Sequence, residues 1–335
     1  LGSVLVPKLI DAGHDVTGLD SELYKACSFS PLPFNIPSLR QDIRDVLSDD
    51  LVDYDAVIHL AGLSNDQLGD INPRATYDIN YTAAVRLASL AKFAEVPRFI
   101  LSSSCAVYGT TNKRFVTESS PLQPISTYAV AKVRAENDIA RLADNSFSPT
   151  FLRKPPLYGL SPYHRTDTAV NNMVAWAAFN ERVVLKTDGE SWRPYLHVED
   201  VSQAFVDALH APIRSIHNQI LNVVKTEDNY QARDIAAHIE RVIDSVRTEQ
   251  IANAPHDARS YRVDGYQITR VLPNWRPVWT LDQGIRQVYE ACRASGLKLE
   301  DFEGARYKRV TYLKYLMGAG RVDEDLRWKD AKAGV

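Results

Sequence analysis

The sequence predicts an α/β protein built on a doubly wound parallel sheet, with a smaller α/β lobe towards its C-terminus. Three observations predict it. Short apolar runs alternate with stretches of helical periodicity. Two of those runs are nearly all apolar, as strands covered on both faces are, and they turn small or polar at their carboxyl ends. At 335 residues the chain exceeds the roughly 250–300 residues at which a single core stops growing, so two lobes are expected.

Val4, Leu5, Leu9 and Ile10 recur at helical spacing, and Ala12-Gly13 ends that first helix. The alternation therefore opens on a helix, and a starting strand is missing. Asp15 to Asp20 reads as a short strand ending in a carboxylate, and Asp55 to Gly62 as a buried one. Helical spacing over Asn72 to Ala94 leads to a second buried strand, Arg98 to Ser104, then a helix from Thr127 to Ala143 and a strand from Thr150 to Arg153. Pro and Gly gather between Pro155 and Pro162. This places the first lobe at residues 1–154 and the second mainly at 155–335. The helix Val198 to His210 and the strand Gln219 to Val224 restore the earlier rhythm, so residues 195–225 are expected to return to the first lobe.

Composition excludes several classes of function. With 45% hydrophobic and 24% charged residues the chain is ordinary globular protein, and a net charge of −3 offers no field for nucleic acid. Cys27, Cys105 and Cys292 lack the spacing of a disulfide framework or a zinc site, which fits a reduced cytoplasm. No apolar run approaches a membrane span and no signal peptide opens the chain, so a soluble cytoplasmic protein is expected.

Ligands of such sheets bind beyond the carboxyl ends of the strands, so polar residues there carry the chemistry. Asp20 could accept hydrogen bonds from both hydroxyls of an adenosine ribose, which favours NAD over NADP. Tyr128 and Lys132 stand one helical turn apart on one face, where the ammonium would favour phenolate and lower the tyrosine pKa. With 16 tyrosines, roughly 0.6 such pairs arise by chance, so position decides. The pair opens the helix that follows Ser102-Ser103-Ser104, and the Ser104 hydroxyl could share a hydrogen bond with a reacting sugar hydroxyl. His59, His197 and His217 lack ligand spacing and are expected to be hydrogen-bonded structural residues, with no metal site. Trp275, Trp279 and Tyr289 are expected to pack the second lobe, and Tyr307 to Tyr315 to form a solvated terminal helix.

Together these residues resemble the extended short-chain dehydrogenase/reductase family, in its NAD-dependent epimerase/dehydratase branch. The resemblance runs over nearly the whole chain, through Gly2-Ser3, Asp20, Asp42-Ile43, Leu60-Ala61-Gly62, Asn80, Ser102 to Gly109, Tyr128 and Lys132, Asn171-Asn172 and Arg193 to Asp200. It implies a Rossmann-like fold, NAD as cofactor and a nucleotide-linked sugar as substrate. By the same resemblance Gly2 is the last glycine of the dinucleotide loop, Asp42 and Ile43 contact adenine, Leu60, Ala61 and Gly62 lie near the pyrophosphate, and Asn80 lies near the active site. Ser104, Tyr128 and Lys132 match the catalytic trio, with Ser102 beside the cofactor. Ser64, Ser104, Asn172 and Arg193 match substrate contacts, and the guanidinium of Arg193 suits phosphate.

Three departures qualify what the resemblance implies. The first strand and the first two glycines of the dinucleotide loop do not precede Gly2, so a native start upstream of Leu1 and weak NAD binding by this chain are expected. Cys105-Ala106 stands where the family's 4,6-dehydratases carry Asp-Glu, so water loss is not expected. Pro156 replaces an asparagine that relatives place near the substrate phosphate. The activity read from this is epimerisation through a keto sugar, with a nucleotide-sugar ketoreductase or dehydrogenase and a non-catalytic dinucleotide sensor or scaffold as alternatives. A homodimer is implied through the helices carrying Val85, Leu87, Leu90 and Ile139.

Overall fold

A computed structural model of the chain describes residues 1–111 and 115–329. The first lobe holds α1 (Gly2–Asp11), β1 (Gly18–Asp20), β2 (Ser38–Arg40), β3 (Ala56–His59), α2 (Asp66–Gly69), α3 (Pro73–Tyr77), α4 (Ala83–Phe93), β4 (Arg98–Ser104), α5 (Thr127–Ala140) and β5 (Ser148–Lys154). Next come β6 (Leu157–Tyr158), α6 (Ala169–Asn180), β7 (Arg182–Leu185), β8 (Trp192–Pro194), β9 (Leu196–His197), α7 (Val198–His210), α8 (Ile213–Ile216) and β10 (Gln219–Asn222). The chain ends in β11 (Asn229–Gln231), α9 (Ala232–Val242), β12 (Arg247–Gln250), α10 (Tyr266–Val271), α11 (Leu281–Ala294), α12 (Leu299–Glu303) and α13 (Arg309–Gly318).

The main sheet is parallel in the order β10-β5-β4-β3, and β1 pairs in parallel with β2 as a separate ribbon. No described strand lies between β3 and β1, and residues of both facing edges line one long cleft. Gly18 to Asp20 pair with Ser38 to Arg40, so β1 is shorter than the strand read over Asp15 to Asp20. Smaller pairs, β12 with β7 and β11 with β8, build the second lobe.

Helices cover both faces. On one, Leu87, Ala91, Ala135 and Ile139 pack on Phe99, Leu101 and Phe151. Leu87 and Ile139 thus lie inside the subunit's own core, while Val85 and Leu90 are partly buried and pack against it. On the other face Leu5 and Leu9 meet Val201 and Phe205 of α7. Trp275 is buried there too and donates its Nε1 proton to the Asp200 carbonyl at 2.9 Å, so it packs the first lobe's sheet rather than the second lobe. Trp279 stacks on His197 at 3.9 Å, and Tyr289 packs against the core that Ile235, Ile285 and Val288 form in the second lobe.

The long helical pattern after Asn72 is broken in the fold. Asn72 caps α3 and Pro73 takes its first position, but residues Asp78–Thr82 widen into a π turn before α4 begins. The extra residue turns Asn80 inward, where periodicity alone would not place a polar side chain.

Candidate active site

The cleft, about 1980 Å³, runs along the carboxyl ends of the strands and between the lobes. β4 is buried along six of its seven residues and delivers Ser102 and Ser104 to it, while Ser103 turns to Glu136. Ser104 caps the turn that follows, accepting from the Ala106 N–H at 3.1 Å. Gly109 ends that turn at φ +62°, with a Cβ there falling 1.7 Å from the Gln123 carbonyl oxygen, so glycine is required. α5 starts at the cleft because Ser126 caps it, accepting from the Ala129 N–H.

Tyr128 and Lys132 on α5 and Ser104 on β4 therefore meet on one wall of the cleft. Lys132 donates to the Ser102 carbonyl at 2.9 Å, and burial pulls its pKa down to about 7. Burial also pushes the Tyr128 phenol up to about 12, with the Ser104 hydroxyl bond opposing. The expected lowering by the lysine is absent: both groups are desolvated and the ammonium is directed at a carbonyl. Lys154 is the register partner of Ser104, lines the same cleft, and burial lowers its pKa to about 8.

The residues expected to meet the cofactor also lie along the cleft, apart from Asn80. Asp20 is exposed at the end of β1 and accepts from the Glu22 N–H at 2.7 Å. Asp42 is gripped by Arg44, whose bonds outweigh burial and hold its pKa below the ordinary carboxylate range, and buried Ile43 follows it. Gly2, at the start of α1, sits beside Leu60. Asn80 holds the loop after β3, accepting from the Leu63 N–H and donating to its carbonyl, both at 2.8 Å. Gly62 has φ +150° and a Cβ would fall 2.7 Å from Asn80 Oδ1, so the loop lies close over that side chain.

Substrate-side residues are engaged within the chain. Asn172 donates to the Thr166 carbonyl at 2.9 Å and to Glu303, and Ser64 accepts from Arg165 at 2.7 Å. Arg193 lies over the Tyr261 ring and pairs with Asp257 at 3.0 Å. Asp257 also pairs with Arg259, Arg259 with Asp66 at 2.6 Å, and Asp66 accepts from Ser126. This chain of charges reaches from the second lobe to the cap of α5. Arg165, Asp257, Arg259 and Lys154 escaped the sequence reading because they come from separate loops and the end of β5, with no shared spacing.

Cys105 is buried outside the cleft lining and directs its thiol at the Arg153 carbonyl, 3.3 Å away. Of the three histidines, His197 is hydrogen-bonded to Gln287, but His59 Nε2 has no partner among the described residues. His59 sits in an apolar strand beside Phe99, and burial keeps it neutral with a pKa near 3. Among the described residues no His, Cys, Asp or Glu group could hold a metal, and no helix is long and apolar enough to cross a membrane.

The residues present fit NAD on three observations: the start of α1 opens on the cleft, a carboxylate ends β1, and the Gly62 loop leaves no room for a side chain. The model of the NAD dependent epimerase/dehydratase family matches residues 1–223. A UDP-glucose 4-epimerase of Mycolicibacterium smegmatis is 27% identical over 323 residues, 88% of this chain and 95% of that protein. The structure of MoeE5 in complex with UDP-glucuronic acid and NAD is 25% identical, covers 88% of this chain and 96% of its own, and superposes with a TM-score of 0.75. The NAD dependent NDP-hexosamine 5,6-dehydratase TunA, 23% identical over 90% of this chain and 96% of its own, shares the fold with a TM-score of 0.78. With the match spanning the main parallel sheet and its helices, the chain belongs to the NAD dependent epimerase/dehydratase family.

Proposed function

We propose that the protein is an NAD-dependent nucleotide-sugar epimerase that works through a keto-sugar intermediate. The observation that carries this is the meeting of Ser104, Tyr128 and Lys132 on one buried wall of a cleft, beside the cofactor-side residues. Tyr128 takes the proton of the reacting sugar hydroxyl as the carbonyl forms, and returns it when the carbonyl is reduced from the other face. Ser104 orients that hydroxyl, and Lys132 ties α5 to the end of β4 through the Ser102 carbonyl. When bound, NAD accepts and returns the hydride, and its oxidised form adds a positive charge that favours phenolate.

Water loss of the 4,6-dehydratase kind is not part of this reading. Ala106 has no acid or base, and the Cys105 thiol faces the Arg153 carbonyl instead of the cleft, with burial pushing its pKa up. Arg193 binds the nucleotide phosphate by exchanging its Asp257 partner for the ligand. The names of the M. smegmatis relative and of the ligands in the MoeE5 complex support a nucleotide sugar as substrate.

The test is a panel of UDP-hexoses and UDP-hexuronic acids incubated with the protein and NAD, following both product isomers and net NADH. Isomerisation without net NADH is expected. Accumulating NADH would replace this reading by a dehydrogenase, and NAD binding without any conversion would end it. A homodimer is proposed on the family resemblance alone, and sedimentation showing only monomer at micromolar concentration would remove it.

A further inference from the structure

The segment after α11 is not a solvated tail. Leu313 and Leu316 of α13, with Val322 and Leu326 beyond it, bury against Leu23, Leu63 and Leu68. Those partners follow Asp20 and Gly62, the two loops that frame the dinucleotide side of the cleft. Further on, Trp328 donates to the Ser21 carbonyl at 2.7 Å, Arg327 pairs with Asp45 at 2.6 Å, and the Asp325 carbonyl accepts from Arg44 at 2.9 Å. The segment is thus a strap across the first lobe, fastened to the loops after β1, around Asp42 and after β3.

At the first position of α13 the strap carries Arg309 into the cleft. Its side chain lies 4.6 Å over the Tyr24 ring and the residue is 6% exposed, yet Nη1 has no hydrogen-bond partner among the described residues. Arg165 stands nearby, but it is already engaged by Asp167 at 2.8 and 2.9 Å and by Ser64. Asp167 also accepts from the Arg309 backbone N–H at 3.1 Å, and its bonds to a guanidinium come from Arg165. A buried cation without a matching anion is costly. The charge of Arg309 is felt at Asp20 on one side and at Leu1, which precedes α1, on the other, and that helix start is itself electropositive.

We propose that Arg309 is a ligand for the pyrophosphate of the dinucleotide, brought to the start of α1 by a C-terminal strap that closes over the cofactor. An adenosine ribose held at Asp20 has its pyrophosphate on the α1 side, and Arg309 lines the same cleft as Gly2 and Asp20. The proposal rests on NAD as the cofactor and is independent of the sugar reaction.

Titration calorimetry on the whole chain with ADP-ribose, adenosine and UDP-glucose tests it, using R309Q and R309K. R309Q is expected to weaken ADP-ribose binding by about 10–100-fold, the range for a lost hydrogen bond to a charged group. R309K should recover part of that loss, and adenosine should change by less than about twofold, since it lacks the phosphates. The ligand-free melting temperature of R309Q should not fall, because the substitution removes an unpartnered buried charge. Unchanged ADP-ribose affinity in R309Q, an equal loss for adenosine, or no ADP-ribose binding by the parent overturns the proposal. A loss confined to UDP-glucose overturns it too, and assigns Arg309 to the substrate's diphosphate. Binding is read without turnover, so a panel that shows no epimerisation would leave this result standing.

Discussion

Tyr128→Phe is expected to lower turnover of the preferred nucleotide sugar by about 10²–10⁴-fold, the usual contribution of a positioned acid-base group. The substitution removes one oxygen and keeps the ring, which is buried at the start of α5, so packing is preserved. The size of the effect follows from the surroundings. Ser104 is the only hydroxyl whose hydrogen bond lowers the phenol's pKa, and Lys132 is aimed at the Ser102 carbonyl, so no other described side chain at this point is placed to replace the lost proton carrier. NAD affinity and thermal stability should stay near those of the parent, which separates a chemical loss from a folding defect. A variant that retains more than about a third of the parent's rate would remove Tyr128 from the acid-base role.

Glu136→Ala is expected to cost about 3–5 kcal/mol of stability, because it strands a buried guanidinium. Glu136 on α5 and Arg153 on β5 are each 2% exposed and bond at 2.6 Å between Nη2 and Oε2, with two further contacts through Nε. The Ser103 hydroxyl donates to the same carboxylate, while Arg153 donates to the Tyr108 hydroxyl, which in turn donates to Asn222. The pair therefore joins α5, β4, β5 and β10 one helical turn beyond Lys132. Urea denaturation measures the loss. Replacing both partners by apolar residues, Glu136→Leu with Arg153→Met, should recover most of it, since neither charge is then left unpaired. A double variant as unstable as Glu136→Ala would show that the cost lies in packing.

Much of the architecture was legible because it depends on local rules. The strand Arg98–Ser104 and the helix Val198–His210 begin and end where their apolar pattern and polar caps place them. The meeting of Ser104, Tyr128 and Lys132 was legible for a similar reason: an i,i+4 pair at the start of one helix and a serine at the end of the preceding strand are brought to one crevice by any doubly wound sheet. The break in the helix after Asn72 was not, because the π turn is set by what Asn80 bonds, the backbone of Leu63. Periodicity records which face is apolar, and carries no signal for a polar side chain that turns inward to hold a distant loop.

The sequence by itself determined the order of strands and helices, the family and the residues that meet at the reacting end. Tertiary structure alone decided the charges around them. Arg193 is paired with Asp257 across 64 residues of chain, and Arg309 joins Gly2 in the lining of the cleft from a distant part of the sequence. The reversed sign of the expected tyrosine shift has the same origin. A pKa follows the net of burial, hydrogen bonds and nearby charge, and burial is fixed only when the lobes and the strap close around the cleft.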